Sequence, residues 1–179
     1  MIIAIDGPAG SGKSTVAKIV ANKLCFRYID TGSMYRSIAW KSLQKKAPLD
    51  DENMIANIAL ETKIELVFRT SGQLVFVDGK NITNQLKNET ISHGAAIVAA
   101  QPIIRKIMTA KQRELGKEGK MVMDGRDIGT VVFPKADKKF FLDADPEERG
   151  RRRLAELKEI KQEAGADLGK IINPGPSSS

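Results

Sequence analysis

The stretch Gly7-Pro8-Ala9-Gly10-Ser11-Gly12-Lys13-Ser14 follows directly on the apolar run Met1 to Ile5 and constrains the fold more than any other part of the chain. Its glycines let the backbone curl so that successive N–H groups point inward, an arrangement suited to phosphate oxygens. Such a loop works when a strand delivers the chain into it and a helix leaves it, because the helix contributes unsatisfied N–H groups and the positive end of its dipole. The sequence meets both conditions. Ile2, Ile3, Ala4 and Ile5 read as a buried strand, while Val16, Ile19, Val20 and Leu24 recur at helical spacing behind the loop. The pattern predicts a nucleoside triphosphate site cradled by Gly7 to Thr15. Lys13 would reach the β- and γ-phosphates, and the Ser14 hydroxyl would ligate a magnesium ion bridging them.

The 179 residues suit one domain with a sizeable core, and no internal repeat is visible. A formal net charge of +7 is compatible with nucleic acid, a membrane surface or a small polyanion. The phosphate loop favours the small polyanion. Cys25 is the single cysteine, so no intrachain disulfide can form, and the N-terminus lacks the layout of a signal peptide. These features lead us to expect a cytoplasmic protein, monomeric and without membrane or nucleic-acid partners, with Cys25 as a small buried side chain closing the first helix.

Apolar, β-rich runs recur at Met1 to Ile5, Phe26 to Ile29, Met121 to Met123 and Phe140 to Leu142, separated by segments of helical spacing. That alternation predicts an α/β fold, a parallel sheet with helices on both faces. The strands run into Asp6, Asp30, Asp124 and Asp143, at the sheet edge where α/β folds place their ligands. From about 61 to 88 the pattern changes. Ile64, Leu66 and Phe68 alternate, as do Leu74 and Phe76, with Ser71-Gly72 and Asp78-Gly79 as turns, which predicts a small antiparallel insertion. Pro102 opens a helix with Ile103, Ile107, Lys111 and Leu115 on one face and Arg105 on another. Asp145-Pro146-Glu147-Glu148 is a helix start with Asp145 as N-cap, leading into Arg149, Arg151, Arg152 and Arg153. The last residues, Asn173 to Ser179, read as a tail.

Two further motifs carry chemistry. Asp30 to Arg36 (DTGSMYR) is a short turn feeding a helix led by Met34, Tyr35 and Arg36, and the planar guanidinium of Arg36 matches a phosphate. Asp124 to Thr130 (DGRDIGT) puts two carboxylates and an arginine at a strand end. Asp124 is placed to hold the magnesium or its water shell, and Arg126 to grip a phosphate; the plainer alternative is a turn capped by Asp127.

Taken together, GPAGSGKST, YIDTGSMYR, VDGKNIT, VAAQPIIRKIM, VMDGRDIGTVVFP and FFLDADPEERGRRR resemble, in order and spacing from Met1 to about Leu157, the bacterial cytidylate (CMP) kinases among the P-loop nucleoside monophosphate kinases. The resemblance implies a P-loop core with a monophosphate-binding insertion near 61–88 and a lid region near 145–179. It also implies transfer of a phosphoryl group from ATP to CMP or dCMP. Lys13, Arg36 and Arg126 would serve the chemistry. Gly7, Pro8, Ala9, Gly10, Ser11, Gly12, Lys13, Ser14 and Thr15 would bind ATP, with Arg149 and Arg153 approaching from the lid. Thr31 would contact the ribose region, Tyr35 would shape the acceptor pocket, Arg36 and Arg126 would hold the CMP phosphate, and Arg105 with Asp127 would face the cytosine. Ser14 and Asp124 would hold Mg2+. A kinase for another acceptor (AMP, dTMP or shikimate) and a basic nucleic-acid-binding module are the alternatives.

The chain departs from the family pattern twice. A serine is usual against the base where this chain has Ala96, which removes one hydrogen bond to the pyrimidine, and His93 nearby is a poor substitute. After Leu157 the family's Arg-Asp-rich lid segment, further strand and final helix have no counterpart in the pattern, so the expectation is a chain that binds nucleotides yet transfers phosphate poorly.

Overall fold

A computed structural model describes residues 1–69, 72–152, 154, 155 and 158. In chain order its main elements are β1 (Ile2–Asp6), α1 (Lys13–Leu24), β2 (Arg27–Asp30), α2 (Thr31–Gln44), α3 (Glu52–Glu61), β3 (Ile64–Arg69) and β4 (Gly72–Val77). There follow β5 (Lys80–Asn81), α4 (Glu89–Ala100), α5 (Pro102–Gly116), β6 (Met121–Gly125) and β7 (Lys138–Phe141). Residues 146–152 are again helical, with the Arg149 N–H donating to the Asp145 carbonyl, in line with the expected helix start.

Strands β2, β6, β1 and β7 form one sheet in that order, all parallel. Successive side chains point to opposite faces, and both faces are covered. Ile3, Ile5, Tyr28 and Val122 pack with Ala17 and Ala21 of α1 on one side. Ala4, Ile29, Met121 and Met123 pack with Ile128, Val132 and Leu115 of α5 on the other. A third cluster joins α2, α3, α4 and α5 through Ile38, Ile55, Val98, Ile104 and Met108. Among the described residues no helix is long and apolar enough to cross a membrane.

Helices α1, α2 and α5 are where the sequence predicts them, but several inward faces are not. Val16, Ile19 and Leu24 of α1 are exposed, and the buried residues are Ala17 and Ala21. Small side chains at that contact let the helix lie close to the sheet, which the apolar periodicity alone does not reveal. In α5 Ile103 is exposed while Ile104 and Met108 are fully buried, one residue round from the expected stripe. Helix α2 begins at Thr31 itself, with no intervening turn, because the Asp30 side chain caps it by accepting from the Ser33 N–H. Such a cap contributes about 1 kcal/mol. Cys25 is exposed and lies in the left-handed region (φ 54°) at the end of α1, so it is not the buried side chain expected.

Strands β3, β4 and β5 make the antiparallel insertion, with Leu66 opposite Val75 and Ile64 opposite Val77. Asp78 and Gly79 both take positive φ, as a two-residue hairpin turn of that type demands. The buried residues of β4 are Val75 and Val77, where the sequence pattern favoured Leu74 and Phe76; register with β3 decides the face. Trp40 of α2 packs with Val75, Val77, Ile82 and Leu86, so the insertion is seated on α2.

Candidate active site

A cavity of about 870 Å³ opens at the carboxyl edge of the parallel sheet. Its wall runs from Ala9, Lys13 and Ser14 past Asp124 to Arg36, Arg105 and Arg126.

At one end the loop after β1 leads into α1, whose N-cap, Gly12, offers no side-chain cap to the first-turn N–H groups. Those donors and the dipole form an anion-binding end. Glycine is obligatory where the loop meets its neighbours. A Cβ on Gly7 would lie 2.0 Å from the Leu142 carbonyl oxygen, and one on Gly10 (φ +75°) would lie 2.8 Å from the Arg149 carbonyl oxygen. The Lys13 ammonium donates to the Pro8 carbonyl at 3.0 Å, and burial lowers its pKa from the ordinary lysine value. The Ser11 hydroxyl is buried with no partner. Both side chains have donor capacity directed at the loop.

The Ser14 hydroxyl donates to Asp124 Oδ2 at 2.6 Å, and the Tyr28 hydroxyl donates to Oδ1 at 3.2 Å. Burial, followed by the negative charge of Asp30, pushes the Asp124 carboxyl up to about 7. A hydroxyl and a carboxylate held together are hard oxygen donors of the kind Mg2+ takes, and that ion draws its remaining ligands from phosphate and water. Among the described residues no group of three or more His, Cys, Asp or Glu clusters for a metal, so a cation here depends on those outside ligands.

The other end carries the basic residues. Arg36 pairs with Asp30 Oδ2 at 2.7 Å, leaving its buried Nε without a partner. Arg126 is exposed to the cavity, and no hydrogen bond or ion pair holds it among the described residues. Arg105 pairs with Asp127 and also donates to the Ala99 carbonyl. Asp127 thus serves an ion pair; it does not cap the following turn with its side chain. That turn, Ile128–Val132, is a wide helical one with bonds from Val132 N–H to Asp127 O and Phe133 N–H to Ile128 O. Such turns recur at functional sites. Asp6 pins it by accepting from the Ile128 and Gly129 N–H groups at 2.7 and 2.8 Å. The end of β1 therefore fixes both the phosphate loop and the segment that presents Arg126 and Asp127.

A family model described as cytidylate kinase matches residues 3–173. The chain belongs to the cytidylate kinase family. A cytidylate kinase of Geobacillus sp. (strain WCH70) is 52% identical over 86% of this chain and 69% of its own length. That of Geobacillus thermodenitrificans is 47% identical over 94% of this chain and 75% of its own. That of Bacillus subtilis is 49% identical over 86% and 69%. The family match continues to residue 173, past about Leu157 where the resemblance read from the motifs stops.

Against the residues expected for a cytidylate kinase, the structure brings Ala9, Lys13, Ser14, Thr31, Tyr35, Arg36, Arg105, Asp124, Arg126 and Asp127 to one cavity. Thr31 lines it, but its hydroxyl is committed to the Asp124 carbonyl at 2.7 Å. Arg149 lies against Gly10 by its backbone, and its Nε donates to the Ala144 carbonyl. Arg153 lies outside the described residues, as does the tail from Asn173. Among the described residues, Arg152 reaches the phosphate loop, its Nη1 donating to the Gly10 carbonyl at 3.3 Å while Glu148 holds its Nε. Ala96 and Ser92 line the cavity on one face of α4, and His93 is exposed. Sequence reasoning missed Tyr28, whose aromatic ring reads as core, and gave Asp6 no partner.

Proposed function

We propose that this chain transfers the γ-phosphoryl group of ATP to the phosphate of CMP or dCMP, giving ADP and CDP or dCDP. The observation that carries the reading is the two-ended cavity. An uncapped phosphate cradle with Lys13 stands at one end, and Arg36, Arg126 and the Arg105–Asp127 pair stand at the other.

The acceptor phosphate oxygen is already anionic at neutral pH, so no protein base is needed. A bond forms between that oxygen and the γ-phosphorus as the bond to the β-γ bridging oxygen breaks, and ADP leaves with the electron pair. The side chains position the two nucleotides and neutralise charge. Lys13 exchanges the Pro8 carbonyl for phosphate oxygens. Arg126 and Arg36 hold the acceptor phosphate in line. Arg105 and Asp127 offer a donor and an acceptor edge, and cytosine presents O2/N3 acceptors and an N4 amino donor to match. Ser14 and Asp124 would hold Mg2+, which when bound neutralises and orients the β- and γ-phosphates. Arg149 and Arg152 approach the donor from the helix at 146–152. The segment 61–88 covers the acceptor and excludes water. Both halves of the site come from one chain, which supports a monomer, and ATP with CMP as substrates supports a cytoplasmic setting.

ADP release measured with CMP, dCMP, AMP, dTMP and shikimate tests the reading. A preference for CMP or dCMP is expected; a preference for AMP or dTMP overturns it. A nucleic-acid module would instead show salt-dependent RNA or DNA binding that survives Lys13→Ala.

A further inference from the structure

Gln73 breaks the pattern of the face it sits on. It lies on β4 two and four residues before the buried Val75 and Val77, and opposite Phe68 on β3. Side chains two apart on a strand share a face, so an apolar residue is expected there. The position holds an amide, and both of its ends are used. Oε1 accepts from the Asp30 backbone N–H at 3.2 Å, and Nε2 donates to the Ser33 hydroxyl at 2.9 Å. The amide orientation follows from the chemistry, because a backbone N–H can only donate and must face the carbonyl oxygen. β2 lies at the edge of the parallel sheet, so its last N–H would otherwise lack a ladder partner.

These two contacts converge on one residue. Asp30 caps α2 with Oδ1 through the Ser33 N–H and holds Arg36 with Oδ2, while the Ser33 hydroxyl donates to the Asp30 carbonyl. Gln73 thereby fixes the residue that orients Arg36, and it does so from the insertion. Gln73 also lines the cavity. We propose that Gln73 is a positioning residue for the acceptor phosphate, joining the β3–β4 insertion to the Asp30 cap and setting the Arg36 guanidinium through it. The inference rests on the reading that Arg36 binds the acceptor phosphate.

The test is a double-mutant cycle with Gln73→Met, which keeps the length and apolar packing but removes both hydrogen bonds, and Arg36→Ala. Steady-state KM is measured for acceptor and for ATP, with thermal midpoints alongside. Loss of two hydrogen bonds predicts a rise of about tenfold in acceptor KM for Gln73→Met, with ATP KM unchanged. The double variant should be no worse than Arg36→Ala alone, since the positioned group is gone. An unchanged acceptor KM, an equal rise in both KM values, or effects that multiply in the double variant would overturn the proposal. If Gln73→Met proves too unstable to assay, Gln73→Asn, whose shorter stem keeps the amide but cannot reach both partners, takes its place; a rise in acceptor KM with ATP KM unchanged is expected, and an acceptor KM equal to wild type counts against the proposal. The wild-type acceptor panel separates the two failures. If the protein prefers another phosphorylated acceptor, the cytidylate reading falls and the same cycle is run with that acceptor.

Discussion

Ser14 and Asp124 meet across 110 residues of sequence, the serine hydroxyl donating to the carboxylate at 2.6 Å. One closes the phosphate loop and the other is the last residue but one of the inner strand β6, and parallel pairing of β1 with β6 puts them side by side. The contact holds two hard oxygens together at the loop end of the cavity. It also buries a carboxylate beside a second one, Asp30.

That burial predicts a pH dependence. Asp124 ionises near 7 in the folded protein against 3.8 ordinarily, so the folded state keeps a proton that the unfolded chain releases. The contribution of this group to stability is present below about pH 4 and lost as the pH rises through about 7. The thermal midpoint of the nucleotide-free protein should fall over that range, and Asp124→Asn should remove most of the fall while abolishing phosphoryl transfer. An identical slope in wild type and variant would show that Asp124 is ionised throughout.

Arg126 is exposed to the cavity and makes no hydrogen bond or ion pair among the described residues. Its removal therefore breaks no hydrogen bond or ion pair among the described residues. Arg126→Ala should raise the CMP KM by about 10- to 100-fold, as expected for a charge-assisted phosphate contact, with the ATP KM and the thermal midpoint nearly unchanged. Equal losses for both nucleotides would remove the residue from the acceptor role.

Ala96 lines the cavity from α4, in a wall that also includes Ala95 and Ala99. A hydroxyl there adds one hydrogen-bonding group facing the cavity. Ala96→Ser should lower the CMP KM by about threefold to tenfold, the yield of one neutral hydrogen bond. Kinetics with CMP and AMP side by side would check it, and a fall of the same size for AMP would mean that the hydroxyl does not read the base.

Gly7 stands where a Cβ would meet the Leu142 carbonyl oxygen at 2.0 Å. Backbone cannot move aside as a side chain can. Gly7→Ala should cost roughly 2 kcal/mol or more of stability, as overpacking against fixed atoms does, and weaken ATP binding with it. Denaturant titration measures the first and nucleotide calorimetry the second; a variant as stable as wild type would mean that β1 and Leu142 separate readily.

Cys25 illustrates how far local pattern carries. The end of α1 is correctly located from sequence, but the backbone there turns left-handed and leaves the thiol in solvent. The apolar stripe of α1 fails in the same way. Val16, Ile19 and Leu24 satisfy a helical period and lie outside, because periodicity reports amphipathic pattern and not which neighbour a face will meet. In β4 the register with β3 selects Val75 and Val77 over Leu74 and Phe76.

The sequence by itself determined the strand, glycine-rich loop and helix at the start of the chain, the parallel sheet, the antiparallel strands and most of the side chains that meet in the cavity. These are legible because the backbone chemistry of glycine, the capping residues and strand-end carboxylates act over a few neighbouring positions. Only the tertiary structure decided the pairings: Asp6 on the Ile128 and Gly129 N–H groups, Tyr28 on Asp124, Arg152 on Gly10 and Gln73 on Asp30. Each joins residues more than 40 positions apart. Hydrogen bonds of that span depend on sheet order and strand register, which bring the carboxyl ends of β1, β2 and β6 to one edge and leave the side chains there to find one another.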